Sequence, residues 1–181
     1  MVTMPAAGAR AKSDERRQAV VVAAVECFAH KGFYGTATHE IAQRVNISQP
    51  YLYRLYPNKE ALFASAVDHV SDVMTRTLIG HAEDPGSGGA QEAARTAYAA
   101  LISDRTILRF LMHANCAAEE PLVGDAVRRC YAKQVDTVHT LLGGDDAAVR
   151  AWFGAGMVDN VAIVLGLADI DQPWARVLSG R

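Results

Sequence analysis

The stretch TATHEIAQRVNISQPYLYRLYPNKEALF, Thr36–Phe63, decides the fold. It reads as two short helices joined by a tight turn and followed by the start of a third. Thr36 stands where its side chain caps the first helix by accepting from a free backbone N–H, and Ile41, Ala42 and Val45 then share one apolar face. That helix is expected to end at Asn46, because Asn tolerates the left-handed backbone better than most residues with a β-carbon. Ser48 caps the next helix, and Pro50 falls in its first turn, where a missing N–H costs nothing. Leu52 and Leu55 point inward, which leaves Gln49, Tyr51, Tyr53 and Arg54 on the outer surface. The exposed polar end is therefore the N-terminal one, as a helix entering a DNA major groove requires.

Lys59 points the same way. Asn58, after Pro57, is placed to cap a long helix, which puts a cation in the first turn, against the helix dipole by a few tenths of a kcal/mol. A DNA phosphate would resolve that conflict by meeting both the lysine and the free N–H groups. The plainer reading is a solvated surface lysine.

These residues resemble the TetR family of bacterial transcriptional regulators. The family pattern runs Phe-x-x-x-Gly-[Phe/Tyr], Thr, Ile-Ala, a Ser-containing turn, Leu-Tyr, and Lys-Glu-x-Leu-[Phe/Leu]. Phe28, Gly32, Phe33, Thr36, Ile41, Ala42, Ser48, Leu52, Tyr53, Lys59, Glu60, Leu62 and Phe63 occupy those places. Three positions depart from it: Asn46 replaces the usual turn glycine, Leu55 a common phosphate-touching His, and Pro57 a frequent basic residue. The resemblance implies an all-α fold, with a three-helix helix-turn-helix head followed by a helical bundle that binds an effector and dimerises.

Within the head, the resemblance makes Gln49, Pro50 and Tyr51 the first choices for base contact, with His39 also in reach of a base. It puts Thr38, Tyr53 and Lys59 at phosphate-holding positions. Thr36, Ser48 and Arg54 complete the expected DNA-binding set, Arg54 as a phosphate contact or a solvated cation. The chemistry suits these types: Gln pairs bidentately with adenine, Pro presses on a thymine methyl, and a tyrosine hydroxyl donates to a phosphate oxygen. The competing reading for Tyr53 and Tyr56 is packing between the head and the long helix.

Composition agrees. The chain has 181 residues and is 50% apolar, enough for a medium domain plus a small head. Up to Glu60 there are eight Lys or Arg against five Asp or Glu, net +3; beyond it ten stand against fifteen, net −5. A positive head on a negative body suits a protein that presents one end to DNA. No apolar run approaches membrane-spanning length and MVTMPAAGARAK lacks a hydrophobic signal segment, so a cytoplasmic location is expected. Cys27, Cys116 and Cys130 imply neither a disulfide framework nor a zinc site; buried free thiols are the favoured reading.

The expected organisation is a disordered arm over 1–12, whose Arg10 and Lys12 could reach a minor groove, a helix-turn-helix domain over 13–57, and an effector-binding and dimerisation domain over 58–181. Ser13 or Asp14 opens a first helix whose Val21, Ala24, Val25 and Phe28 share a face and which stops near Gly32. A connecting helix from Asn58 to about Ile79 carries Leu62, Phe63, Val67, Val70 and Met74, and a Gly-rich break covers 80–89. Further helices are expected over 90–102, 104–118, 122–142 and 146–167, with a short piece after Pro173.

The helix from Asp146 is apolar around most of its surface and rich in small residues, which suits close approach of another helix. In the family this region forms a four-helix dimer seam, which makes Trp152, Phe153, Gly156, Val161, Trp174 and Leu178 the expected anchors. The alternative is that this helix is the buried centre of one subunit. The resemblance also implies a small-molecule cavity, with Met74, Tyr98, Phe110, Met112, His113, Cys116 and Tyr131 as candidate lining or as ordinary core. Recognition helices held about 34–36 Å apart in a homodimer would then read a palindromic operator, released by the effector, with repression as the family's commoner mode. No Gly-rich phosphate loop, His-Glu-x-x-His, Cys-x-x-Cys or Gly-x-Ser-x-Gly is found, so neither an enzyme nor a cofactor or metal is implied. The other class to weigh is a helical protein-interaction adaptor that has lost DNA binding, suggested by Leu55 and Pro57.

Overall fold

The computed structural model describes residues 7–83 and 89–181, which form nine α-helices and, among the described residues, no strand. They are α1 (Ala7–Gly35), α2 (Thr38–Arg44), α3 (Gln49–Leu55), α4 (Lys59–Glu83), α5 (Gly89–Ser103), α6 (Arg105–Cys116), α7 (Pro121–Leu141), α8 (Asp146–Val164) and α9 (Pro173–Ser179), with a 3-10 turn at Leu167–Asp169. The first three make the head. The long α4 leads out of it and packs along α7 and α5, while α1 lies back against α6.

Local chemistry explains the element ends. Asn58 Oδ1 accepts from Ala61 N at 2.8 Å, Asp104 from Thr106 N at 2.8 Å, and Asp145 from Ala147 N at 2.8 Å, so each satisfies a free donor at a helix start. The expected arm over 1–12 is corrected in part: α1 already runs from Ala7, through Ala, Arg and Lys residues that are strong helix formers. Residues 1–6 lie outside the described residues. Gly80 does not end α4, which continues to Glu83; one glycine costs a helix only about 1 kcal/mol. The rest of the expected break, 84–88, lies outside the described residues. The helix α8 stops at Val164, with Gly166 left-handed at φ 64°, three residues before its expected end.

One hydrophobic core runs from head to body without a gap, from Val20 and Phe28 on α1 through Ile41, Leu52 and Phe63 to Val123 and Trp152. The expected boundary at 57 and 58 coincides with the turn between α3 and α4, but this core crosses it. The joint is tight at Gly32, whose φ of 69° and ψ of −178° suit glycine almost alone and turn the chain out of the main run of α1. A β-carbon built there would stand 2.8 Å from Nδ1 of His113 on α6. At the far end Ala162, Leu167 and Ala175 form a small separate core that seats α9, and Arg181 donates to the carbonyls of Ala168 and Leu167.

Gly32→Ala is therefore expected to lower stability by about 1–3 kcal/mol in denaturant melts, from backbone strain alone before any clash with His113. Gly80→Ala, in open space within α4, is expected to raise it by up to about 1 kcal/mol.

Candidate functional site

The turn between α2 and α3 is built as the residues dictate. Asn46 is left-handed at φ 53°, Ile47 N donates to Ala42 O at 3.0 Å, and Asn46 N to Gln43 O at 3.1 Å, the paired bonds of a Schellman ending. Ser48 Oγ then accepts from Tyr51 N at 3.3 Å, and Pro50 lies in the first turn of α3. Leu52 and Leu55 are buried, and Gln49, Pro50, Tyr53 and Arg54 are exposed, with His39 exposed nearby at the start of α2. The outer surface of this motif is thus free to meet a partner.

Two threonines are placed otherwise than expected. Thr36 is 1% exposed and does not cap α2, whose cap position is Ala37; its hydroxyl donates instead to Gly32 O at 2.7 Å and lies 3.3 Å from Cys27 O. The carbonyls left free where α1 turns at Gly32 are closer than the N–H groups of α2, so Thr36 closes α1 and touches no surface. Thr38 is also buried, and its hydroxyl sits between two exposed groups: Gln49 Nε2 donates to it at 2.9 Å, and the Tyr53 hydroxyl lies 2.9 Å away. It braces Gln49 and Tyr53 from behind.

The cations divide into engaged and free. Lys59 Nζ lies 4.5 Å from the centre of the Phe33 ring and 3.4 Å from Thr36 O, so a cation–π contact and a carbonyl offset the dipole conflict inside the molecule. Arg17 donates to Leu55 O at 2.8 Å and spans the Tyr56 ring, which settles Tyr56 as a packing residue; it is 8% exposed. Tyr51 is half-buried against Arg16. Lys31 binds Glu40, whose carboxyl is held below its usual range mainly by that hydrogen bond, and Arg44 binds Glu26. Arg54 is exposed and forms no ion pair among the described residues. Leu55, the position that departs from the family pattern, is buried in the head core.

The body holds a cavity of about 330 Å³ enclosed by α4, α5, α6, α7 and α8. Met74, Tyr98, Met112, Cys116 and Tyr131 are among its lining residues. Phe110 and His113 do not. Both face the opposite side of α6, toward α1: Phe110 is fully buried and stacks on Phe63 at 5.2 Å, and His113 lies under Gly32. Three expected dimer anchors are corrected as well. Trp152 is 7% exposed and meets Tyr98 edge to face at 5.1 Å, Phe153 packs beside it, and Gly156 is covered by Tyr98, whose Cε1 would lie 2.9 Å from an added β-carbon. They wall the cavity because the small residue in α8 receives an aromatic ring of the same chain. Val161 lines the cavity while staying 40% exposed; Trp174 and Leu178 are exposed on α9. The three thiols are free, but Cys116 is exposed, not buried.

Sequence reading missed Gln134. It is buried on α7, lines the cavity and hydrogen-bonds to Ser71 and Thr75 of α4. Its signal was available: a lone glutamine in the apolar stripe Val123, Val127, Cys130, Val138.

Comparison with known proteins matches both parts. The family model described as bacterial regulatory proteins, tetR family, covers residues 20–66. The HTH-type transcriptional activator FasR of Mycolicibacterium smegmatis is 33% identical over 69 residues, 38% of this chain and 32% of that protein. The HTH-type transcriptional regulator RutR of Escherichia coli K12 is 30% identical over 69 residues, with the same coverage. The aligned part thus spans about a third of these curated relatives. A TetR-family transcriptional regulator from Agrobacterium tumefaciens shares the fold over 93% of both chains, with a TM-score of 0.68 at 15% identity. One from Streptomyces coelicolor does so over 92% of this chain and 98% of its own, with a TM-score of 0.54 at 15% identity. Residues 20–66 thus form a helix-turn-helix head of the tetR family of bacterial regulatory proteins, and nearly the whole chain shares the fold of solved TetR-family regulators.

Proposed function

We propose that the protein is a dimeric DNA-binding transcriptional repressor that reads a palindromic operator through α3 and is released when a small molecule enters the body cavity. The observation that carries the first half is the exposed outer face of α3, where Gln49 is held by Thr38 and Arg54 forms no ion pair among the described residues. With one Nε2 hydrogen committed to Thr38, Gln49 keeps a second amide hydrogen and its oxygen, enough for a bidentate contact with adenine. Tyr53 and Arg54 flank it as phosphate contacts, and His39 and Pro50 complete the surface. Lys59, drawn onto Phe33, works chiefly by fixing the start of α4. Such a protein works in the cytoplasm, where its DNA is.

Dimerisation is supported by α8 and α9. Only part of α8 is buried although the helix is apolar nearly throughout, and by length and composition it is, among the described residues, the one helix able to cross a membrane. Val158 on α8, Leu165 just past its end, and Trp174, Val177 and Leu178 on α9 are exposed apolar residues, more than a lone subunit normally leaves to water. A second copy is the occupant that also places two heads on one duplex. Release is supported by the wall of the cavity: Val67 and Met74 belong to α4, the helix that carries the head, so a ligand that shifts α4 moves the spacing of α3 from its mate. A coupling of about 1–3 kcal/mol gives a 5- to 150-fold loss of operator affinity.

Three outcomes are expected. In operator titrations at several salt concentrations, Arg54→Ala should make the log–log slope shallower by about 0.9, one phosphate contact, with base preference unchanged. Thr38→Val should leave that slope intact and instead relax discrimination at the base read by Gln49, as Gln49→Ala does; a uniform loss across sequences would contradict the bracing role. Val158→Arg combined with Leu165→Glu should give monomers in analytical ultracentrifugation and weaken operator binding by about 100-fold or more, since two linked heads gain at least that from avidity.

A further inference from the structure

Gln134, which lines the cavity, carries a buried polar atom that the fold leaves unanswered. Gln134 is 2% exposed, and its Nε2 lies 3.2 Å from Ser71 O, 3.3 Å from Ser71 Oγ and 3.0 Å from Thr75 Oγ1. A backbone carbonyl only accepts, so the amide nitrogen must face Ser71 and the orientation of the amide is fixed. That leaves Oε1 as, among the described residues, the buried side-chain polar atom with no partner. Buried acceptors are seldom left so, and the exceptions call for a missing donor.

The rest of the wall restricts what that donor belongs to. Among the described residues lining the cavity there is no Asp, Glu, Lys, Arg or His. Burial pushes the Tyr98 hydroxyl and the Cys130 thiol up, so neither supplies an anion. The two tyrosine hydroxyls are already used: Tyr98 donates to Asn160 Oδ1 at 2.9 Å and Tyr131 to Asn115 Oδ1 at 3.2 Å. Beside the side-chain amides of Asn115 and Asn160, the remaining surface is largely apolar and aromatic, with Trp152 edge to face against both Tyr98 and Phe153.

We infer that the cavity takes an uncharged, mostly apolar aromatic molecule bearing one hydrogen-bond donor, a phenolic O–H or ring N–H, which it gives to Gln134 Oε1. An ionised ligand would lose its hydration there with no counter-charge in return. Donation to Oε1 also polarises the amide and strengthens its bonds to Ser71 and Thr75, so the group that recognises the ligand is one hydrogen bond from α4. This rests on the effector reading above and names the ligand class for it.

The test is calorimetric titration of the full chain with three biphenyl probes: para-phenylphenol, its methyl ether, and para-phenylbenzoate. The phenol is expected to bind roughly 10-fold or more tightly than the ether, which has the same ring system and no donor, and roughly 100-fold more tightly than the benzoate. In Gln134→Leu the phenol and ether should bind within about 2-fold of each other, because the acceptor is gone. Should that variant not fold, the phenol-to-ether ratio of the unaltered protein decides alone. Equal binding of phenol and ether, preference for the benzoate, or binding of none of the three would overturn the inference. Its failure is separable from that of the effector reading: phenol binding that leaves operator affinity unmoved sinks the latter only, and operator release by an anionic compound sinks the former only.

Discussion

Phe63 is the point on which the arrangement of the molecule depends. Fully buried in the second turn of α4, it meets Phe28 edge to face at 4.6 Å, Phe33 edge to face at 5.4 Å and Phe110 in a stack at 5.2 Å. Phe28 and Phe33 come from the head, Phe110 from the body, and Phe63 from the helix between them. Aromatic pairs of this kind are worth about 0.5–1.5 kcal/mol each beyond their buried area, so the head is fastened to α4 and α6 together. Lys59 adds to the same fastening, one turn earlier, by lying over Phe33. The head consequently has no orientation of its own: it follows whatever sets α4 against α6.

The cavity touches those two helices immediately beyond the aromatic cluster. Val67 is one helical turn past Phe63, and Leu111 and Met112 directly follow Phe110, so cavity wall and head joint are successive layers of one packed core. A dense interior transmits displacement instead of absorbing it. Gln134 adds a polar tie between α7 and α4 in the same region, and such a tie holds the register of two helices in a way that apolar contacts, which tolerate sliding, do not. The cavity wall and the helix register are therefore governed by the same few residues.

Sequence was most readable where physics is local. The turn at Asn46, the caps at Ser48, Asn58 and Asp145, and the place of Pro50 each follow from a residue's effect on its own few neighbours, and all stand where the chain chemistry put them. Thr36 failed for the opposite reason: a threonine before a helix is ordinarily a cap, but its hydroxyl found carbonyls exposed by the turn at Gly32, which only the packing of α1 brings near. Whether Phe110 and His113 line a cavity or sit in ordinary core is not written in the sequence, because helical spacing identifies a face without saying what the face meets. The helix α6 has two buried sides, one toward α1 and one toward the cavity, and only the packing shows which residues fall on each. The small residues of α8 carried a similar ambiguity, since a notch for a neighbouring helix and a notch for Tyr98 are written with the same glycine.

That double character of α8 has a further consequence for how assembly and ligand binding are related. Its inner side supplies Trp152 and Gly156 to the cavity, while Met157 and Val161 both line the cavity and remain about 40% exposed. In the proposed dimer the second copy covers these outer residues, so it completes the enclosure of the ligand at the same time as it fixes the separation of the heads. Two processes that bury the same helix from opposite sides are thermodynamically linked: whatever ligand binding does to the packing of α8 must be returned, with equal magnitude, as an effect of dimerisation on ligand affinity. The apolar excess of α8 is then not surplus hydrophobicity. In that proposed assembly it is the amount needed by a helix that walls the cavity on its inner side and meets the second copy on its outer side.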